Sequence, residues 1–180
     1  MFSRPSRDTL ISWAQTLAFA ALLAFAVRSW MRSSSGPKTE VPAPAFNLPA
    51  LESASGRVEL AQLRGTPVLI EAVASWCGAC AQSAPALREA ALAKRDKPVH
   101  FVSVLIDSNP ASAQRLKSEW GIVNELLIDD GSFSRNYEIS MLPTFILIDE
   151  QGLVRLVSSG RADRGDIEDW LSTVGSAVTL

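Results

Sequence analysis

From Phe46 onward, unbroken apolar runs alternate with stretches in which apolar residues recur every three or four positions. "PVLIEAVAS" (Pro67–Ser75) and "VHFVSVLID" (Val99–Asp107) are β-branched, apolar and of strand length, which predicts strands buried on both faces. Between them Cys80, Ala84, Leu87 and Ala91 fall at helical spacing, predicting a helix from Gly78 to about Lys94. Asn109-Pro110 opens a second helix and Gly121 closes it. "GRVELAQLRG" (Gly56–Gly65) reads as a short strand and a helical turn, and "ELLID" and "SFSRNYEI" as a short strand and a short helix. "TFILIDEQGLVRLVSSG" predicts a hairpin about Glu150-Gln151-Gly152. "RGDIEDWLSTV" closes the pattern as an amphipathic helix with Ile167, Trp170, Leu171 and Val174 on one face. Strands interleaved with helices predict an α/β domain over residues 46–180, a mixed sheet held between helices.

The pattern is different before it. "TLISWAQTLAFAALLAFAV" (Thr9–Val27) has no charge and no polar face, and its 19 residues reach about 29 Å as a helix, close to the hydrocarbon thickness of a bilayer. Trp13 and Trp30 lie near its ends, with Arg4 and Arg7 before it and Arg28 and Arg32 after it. Residues 1–32 are therefore expected to be a membrane anchor, transmembrane over about 9–30. A cleaved signal peptide is the rival, because Ala24–Ala26 has the small-x-small form of a cleavage site. Both readings export everything after Val27, so the domain is expected on the outer side of the cytoplasmic membrane. "SSSGPKTEVPAPA" (Ser33–Ala45), small, polar and proline-containing, reads as a tether.

Composition adds two exclusions. At 47% hydrophobic and 20% charged, the chain has material for a core and is unlike a disordered one. Of its 17 Lys and Arg and 19 Asp and Glu, four Arg and one Asp fall in residues 1–32, leaving 13 against 18 beyond, with no basic cluster. No nucleic acid partner is expected.

Both cysteines lie in "VASWCGACAQSAP" (Val73–Pro85). A structural clip, a metal site and a redox pair are the three readings of such spacing. A disulfide closing so short a loop restricts the unfolded chain little, so a clip has small value. Cys77 opens a predicted helix, where unpaired N–H groups and the positive dipole end stabilise a thiolate. This casts Cys77 as the exposed attacking thiolate and Cys80, one turn in, as the resolving thiol. Glu71, in the middle of "VLIEAVA", is costly to bury unless neutral or paired, and its alternative is an edge position facing water.

Trp76-Cys77-Gly78-Ala79-Cys80 followed by Pro85 resembles the thioredoxin-superfamily pattern W-C-x-x-C-x-x-x-x-P. Met141-Leu142-Pro143-Thr144 before an apolar strand resembles that superfamily's cis-proline loop. The resemblance runs from about Phe46 to Val174. The apolar N-terminus, the lead-in from Phe46 to Cys77 and the segment "NELLIDDGSFSRNYEIS" make the chain most similar to the membrane-anchored, extracytoplasmic group of TlpA, ResA and the cytochrome c maturation thioredoxins. That resemblance implies a three-layer thioredoxin-like sandwich and a protein-disulfide reductase acting on exported proteins. It also implies a membrane thiol donor and no cofactor or metal. It gives Glu71 proton exchange with Cys80, and makes Pro143, if cis, the shaper of a groove beside Cys77. Trp76, Leu142 and Thr144 become groove residues, with Trp76 covering the disulfide, and Pro85 a helix-kinking structural residue.

Gly78 and Ala79 add neither charge nor a side-chain donor to the thiolate, so they favour neither reduction, oxidation nor isomerisation. Copper delivery is the rival of a different class, since paired thiolates bind Cu(I). The superfamily's copper-delivering members resemble a CxxxC with a distal His, whereas the only His here, His100, begins a strand. A peroxidase of the P-x-x-x-T-x-x-C type lacks its proline and threonine, replaced by Ile70 and Ala74.

Overall fold

The computed structural model describes residues 39–53, 56–93, 99–107 and 109–174. The predicted anchor and the tether up to residue 38 lie outside the described residues. Among the described residues, no helix is long and apolar enough to cross a membrane.

The long apolar runs form the middle of a five-stranded sheet. Its strands are β3 (Val68–Val73), β4 (His100–Leu105), β5 (Glu125–Ile128), β6 (Thr144–Ile148) and β7 (Val154–Ser159), in the order β5-β4-β3-β6-β7. β3 pairs parallel with β4 and antiparallel with β6, so the sheet is mixed. Every residue of β3 is buried, as a strand flanked and covered on all sides requires.

Helices α1 (Gly78–Ala93), α2 (Pro110–Glu119), α3 (Ser132–Asn136) and α4 (Arg164–Ser172) follow β3, β4, β5 and β7. The side chain of Asn109 caps α2, accepting from Ala111 N (3.1 Å) and Ser112 N (3.3 Å), with Pro110 at the first helical position. Asp163 and Asp166 cap α4 reciprocally: each side chain accepts the other's backbone N–H, at 3.0 and 2.9 Å. α1 runs on through Pro85, which is exposed, to Ala93.

Alternation along β3 assigns its two faces. Leu69 packs with Leu87 and Ala90 of α1 and Ile167 and Leu171 of α4, while Val73 packs with both cysteines and with Leu116 of α2. Val68, Ile70 and Ala72 face a second core built on Phe46, Leu48, Val58, Phe133 and Tyr137. The sequence reading put helices on both faces, and the structure does so unequally, with α1, α2 and α4 on one face and only the short α3 on the other. The crossovers β3–α1–β4 and β4–α2–β5 step the same way along the sheet. Right-handed connections in one direction place both helices on one face. The other face is closed by a small antiparallel hairpin, β1 (Asn47–Pro49) with β2 (Arg57–Glu59), a 3-10 turn at Leu60–Leu63 and the short α3. Three rings substitute for helical bulk there: Phe133 stacks on Tyr137 at 4.4 Å and meets Phe46 edge-on at 5.8 Å. The Tyr137 hydroxyl donates to the Pro44 carbonyl at 2.7 Å, tying the incoming chain to this layer.

Leu69 is fully buried between α1 and the sheet. Leu69→Ala should lower the free energy of unfolding by about 2–5 kcal/mol in denaturant titration, and a loss under about 1 kcal/mol would contradict this packing.

Candidate active site

The site is made where β3 stops. After Val73 the chain turns, with Cys77 N–H donating to the Ala74 carbonyl at 3.0 Å. α1 begins at the next residue. The Cys77 carbonyl accepts from Ala81 N–H at 3.2 Å, which makes Cys77 the residue that starts the helical ladder. Its side chain serves the same end: Cys77 Sγ accepts the backbone N–H of Cys80 at 3.1 Å. An amide of the first helical turn, which has no carbonyl partner within the helix, is thus aimed at the sulfur on which negative charge would develop.

Cys77 and Cys80 form a disulfide, with Cα atoms 5.3 Å apart. Cys80 is fully buried against Leu105 and Leu116. Cys77, expected to be exposed, shows only 6% of its surface, because the bonded sulfur lies along the floor of a groove. The order of access expected from sequence is nevertheless kept, with Cys77 outside Cys80.

That groove has a volume of about 210 Å³ and is lined by Trp76, Cys77, Ile106, Ile139, Ser140, Met141 and Leu142. No lining residue is charged. Trp76, expected to cover the disulfide, instead stands out into solvent as one wall at 74% exposure, and Met141 is similarly open at 57%. Leu142 is in the lining as expected, and the Leu142–Pro143 bond is cis. Pro143 itself is buried. Thr144 does not line the groove. It is buried, and its hydroxyl donates to the Met141 carbonyl at 2.7 Å and meets Ser159 Oγ at 3.0 Å, so it braces the loop from behind.

Glu71 is 2% exposed, which rules out an edge position facing water. It shares the α1 side of β3 with Leu69 and Val73, between the two clusters to which α1 contributes Leu87 and Cys80. Burial pushes its carboxyl from an ordinary 4.5 up to about 8, and a hydrogen bond with the Ser103 side chain opposes that rise. Glu71 Oε1 has no hydrogen-bond partner.

Three residues not singled out from sequence belong to the surroundings. Asp107, at the end of the β4 run, accepts through Oδ2 from Ser75 N–H at 3.1 Å and from the Ser75 hydroxyl, which fixes the residue before Trp76; its Oδ1 is buried without a partner. An acid ending the apolar run "VLID" was the available signal. Ser103 and Asn124 join through a 3.0 Å bond from Asn124 Nδ2 to Ser103 Oγ. Nothing in their sequence contexts sets them apart from ordinary polar residues. His100 is exposed at the start of β4.

A reversible thiol pair at the mouth of a central strand, capped by a helix start and facing an open groove, defines the class: a thioredoxin-fold protein for thiol–disulfide exchange. The Redoxin family model matches residues 38–171, and the chain belongs to the Redoxin family. The thiol:disulfide interchange protein DsbE of Xylella fastidiosa is 31% identical over 156 residues, covering 84% of this chain and 78% of that protein. The thiol-disulfide oxidoreductase ResA of Geobacillus kaustophilus is 27% identical over 133 residues, covering 73% of this chain and 75% of its own. The crystal structure of a Chlorobium tepidum protein assigned as a DsbE superposes with a TM-score of 0.69 at 27% identity, covering 76% of this chain and 97% of that one. Family and site together make the chain a thiol–disulfide oxidoreductase.

The buried acid has a thermodynamic signature. Folded Glu71 holds its proton to about pH 8 while an unfolded glutamate releases it near 4.5, so the folded state binds the extra proton across that window and loses stability as pH rises through it. For the oxidised protein, Glu71→Gln should gain on the parent between pH 5 and pH 8 by a few kcal/mol, each pKa unit being worth about 1.36 kcal/mol. Denaturant unfolding at the two pH values measures the gap; a gap that stays constant would mean that folded Glu71 is already ionised at pH 5, as it is in the unfolded chain.

Proposed function

We propose that the protein is a membrane-anchored, extracytoplasmic reductase of disulfides in exported proteins, with apocytochrome c thiols during cytochrome maturation among its clients. The observation that carries the reading is the Cys80 N–H held on Cys77 Sγ, which favours a thiolate at the outer sulfur. The uncharged run Thr9–Val27, which lies outside the described residues, supports the anchor; two arginines flank each end, so the periplasmic placement of the domain rests instead on the export that an anchor and a signal peptide both imply. The relatives named thiol:disulfide interchange protein and thiol-disulfide oxidoreductase support the exchange chemistry.

In the proposed cycle the reduced protein offers Cys77 as thiolate. It attacks one sulfur of a client disulfide, forming a Cys77–client bond and releasing the client's other sulfur as thiolate. Glu71, as carboxylate, takes the Cys80 proton. Cys80 then attacks Cys77 Sγ, the protein disulfide closes and the second client sulfur leaves. A dithiol carrier in the membrane, itself oxidised in the exchange, returns both electrons. Trp76, Leu142 and Met141 receive the apolar residues beside the client cysteine, with an extended client segment lying along the loop before Pro143.

Cys80→Ala should accumulate client proteins bound through Cys77, visible as adducts that a reducing agent releases, while Cys77→Ala should accumulate none. Adducts on neither variant would defeat the mechanism. Direction is set by the reduction potential of the pair: a value near that of thioredoxin, about −270 mV, is expected, and one near −120 mV would make the protein an oxidant.

A further inference from the structure

Ser103 is a buried hydroxyl on β4, registered directly opposite Glu71 of β3, and it opposes the effect of burial on the Glu71 carboxyl. On its other side stands Asn124, half-buried, in the link between α2 and β5. Asn124 Nδ2 lies 3.0 Å from Ser103 Oγ and 3.3 Å from the Glu125 carbonyl oxygen. A carbonyl only accepts, so the group that faces both is the NH2 of Asn124, and Ser103 Oγ is an acceptor in that bond. A serine hydroxyl has one proton. With Asn124 donating into a lone pair, that proton remains available to the carboxyl registered beside it, while Glu71 Oε1 has no partner.

We propose that Asn124 and Ser103 are positioning residues for proton exchange at the thiol pair: Asn124 orients the Ser103 hydroxyl, and the hydroxyl anchors the Glu71 carboxyl so that Oε1 is left free for the proton of Cys80. The inference rests on the proton role proposed for Glu71 and deepens it. A hydrogen bond given to a carboxylate favours its charged form, so the pair also counters the effect of burial and keeps Glu71 within reach of ionisation. Cys80 is the titratable side chain that the packed elements turn towards this face among the described residues. Ser112 of α2, Leu126 of β5, Phe145 of β6 and Ile167 of α4 contribute no charge there. Asp107 is engaged with Ser75 at the strand end, and His100 lies at the opposite end of β4.

The test is made on the full-length protein in its disulfide form, in which neither cysteine titrates. The Glu71 carboxyl stretch, identified by its loss in Glu71→Gln, is followed against pH by infrared difference spectroscopy. Ser103→Ala should raise its titration midpoint by roughly one unit. Asn124→Leu should raise it less, and the double variant should match Ser103→Ala, because Asn124 acts only through the hydroxyl. Ser103→Thr, which restores the hydroxyl, should return the midpoint towards the parent's. In the reduced protein, the pH profile of mixed-disulfide resolution should move upward by the same amount in Ser103→Ala. An unmoved midpoint in Ser103→Ala, or effects of the two single variants that simply add, would overturn the proposal, as would a lowered melting temperature with no change in midpoint. If the midpoint moves as described while Glu71→Gln resolves mixed disulfides at the parent's rate at every pH, the positioning stands and the proton role of Glu71 falls.

Discussion

One hydrogen bond orders the chemistry of this molecule: the amide of Cys80 donating to the sulfur of Cys77. It exists because the thiol stands at the helix start, where the first N–H groups have no carbonyl within the helix to receive them. One turn further in, the same amide would be used by the helix itself. The placement demands that β3 end at Val73, that the chain turn through Ala74–Cys77, and that α1 start at Gly78. Asp107 secures the turn from the neighbouring strand by holding both polar groups of Ser75. The apolar bulk of the fold therefore serves a geometric end, fixing one strand end and one helix start against each other.

Beneath the thiols the sheet carries a polar group that it could not tolerate elsewhere. A carboxylate surrounded by Leu69, Val73 and Phe145 has no water to solvate it, so it holds its proton up to neutral pH and beyond. Parallel register with β4 supplies Ser103 as its neighbour, and Asn124 joins that hydroxyl to a half-buried position at the domain's edge. The result is an acid whose neutral and charged forms are both accessible near the range in which thiols titrate, on the face of β3 that also receives Cys80.

The groove above the disulfide comes from segments far apart in sequence: Trp76 and Cys77 before α1, Ile106 after β4, and the loop from Ile139 to Leu142 before β6. Antiparallel pairing of β6 with β3 brings that loop to the strand end where the thiols lie. Thr144 is tied to Met141 and Ser159 from the protected side, so the loop presents apolar side chains outward over a hydrogen-bonded back. The lining of the groove is largely apolar and carries no charge.

Much of this was legible in the chain. Run length and helical spacing located β3, β4, α1, α2 and the β6–β7 hairpin, because a strand covered on both faces must be apolar throughout and a helix covered on one must be apolar at every third or fourth residue. The redox pair was legible too, since its chemistry depends on local position at a helix start. What the sequence did not contain was the identity of partners across the sheet. Ser103 and Asn124 are ordinary polar residues until register puts one beside Glu71 and the other beside it in turn; Thr144 reads as a groove residue until strand alternation turns it inward; and Trp76 reads as a cover until the groove leaves it standing in solvent. Likewise, the crowding of helices on one face follows from the order and handedness of crossovers, which no single stretch encodes. Local patterning fixes what each segment becomes, whereas contacts between distant segments are decided only when the chain closes on itself, and the surroundings of the buried Glu71 are made by those contacts.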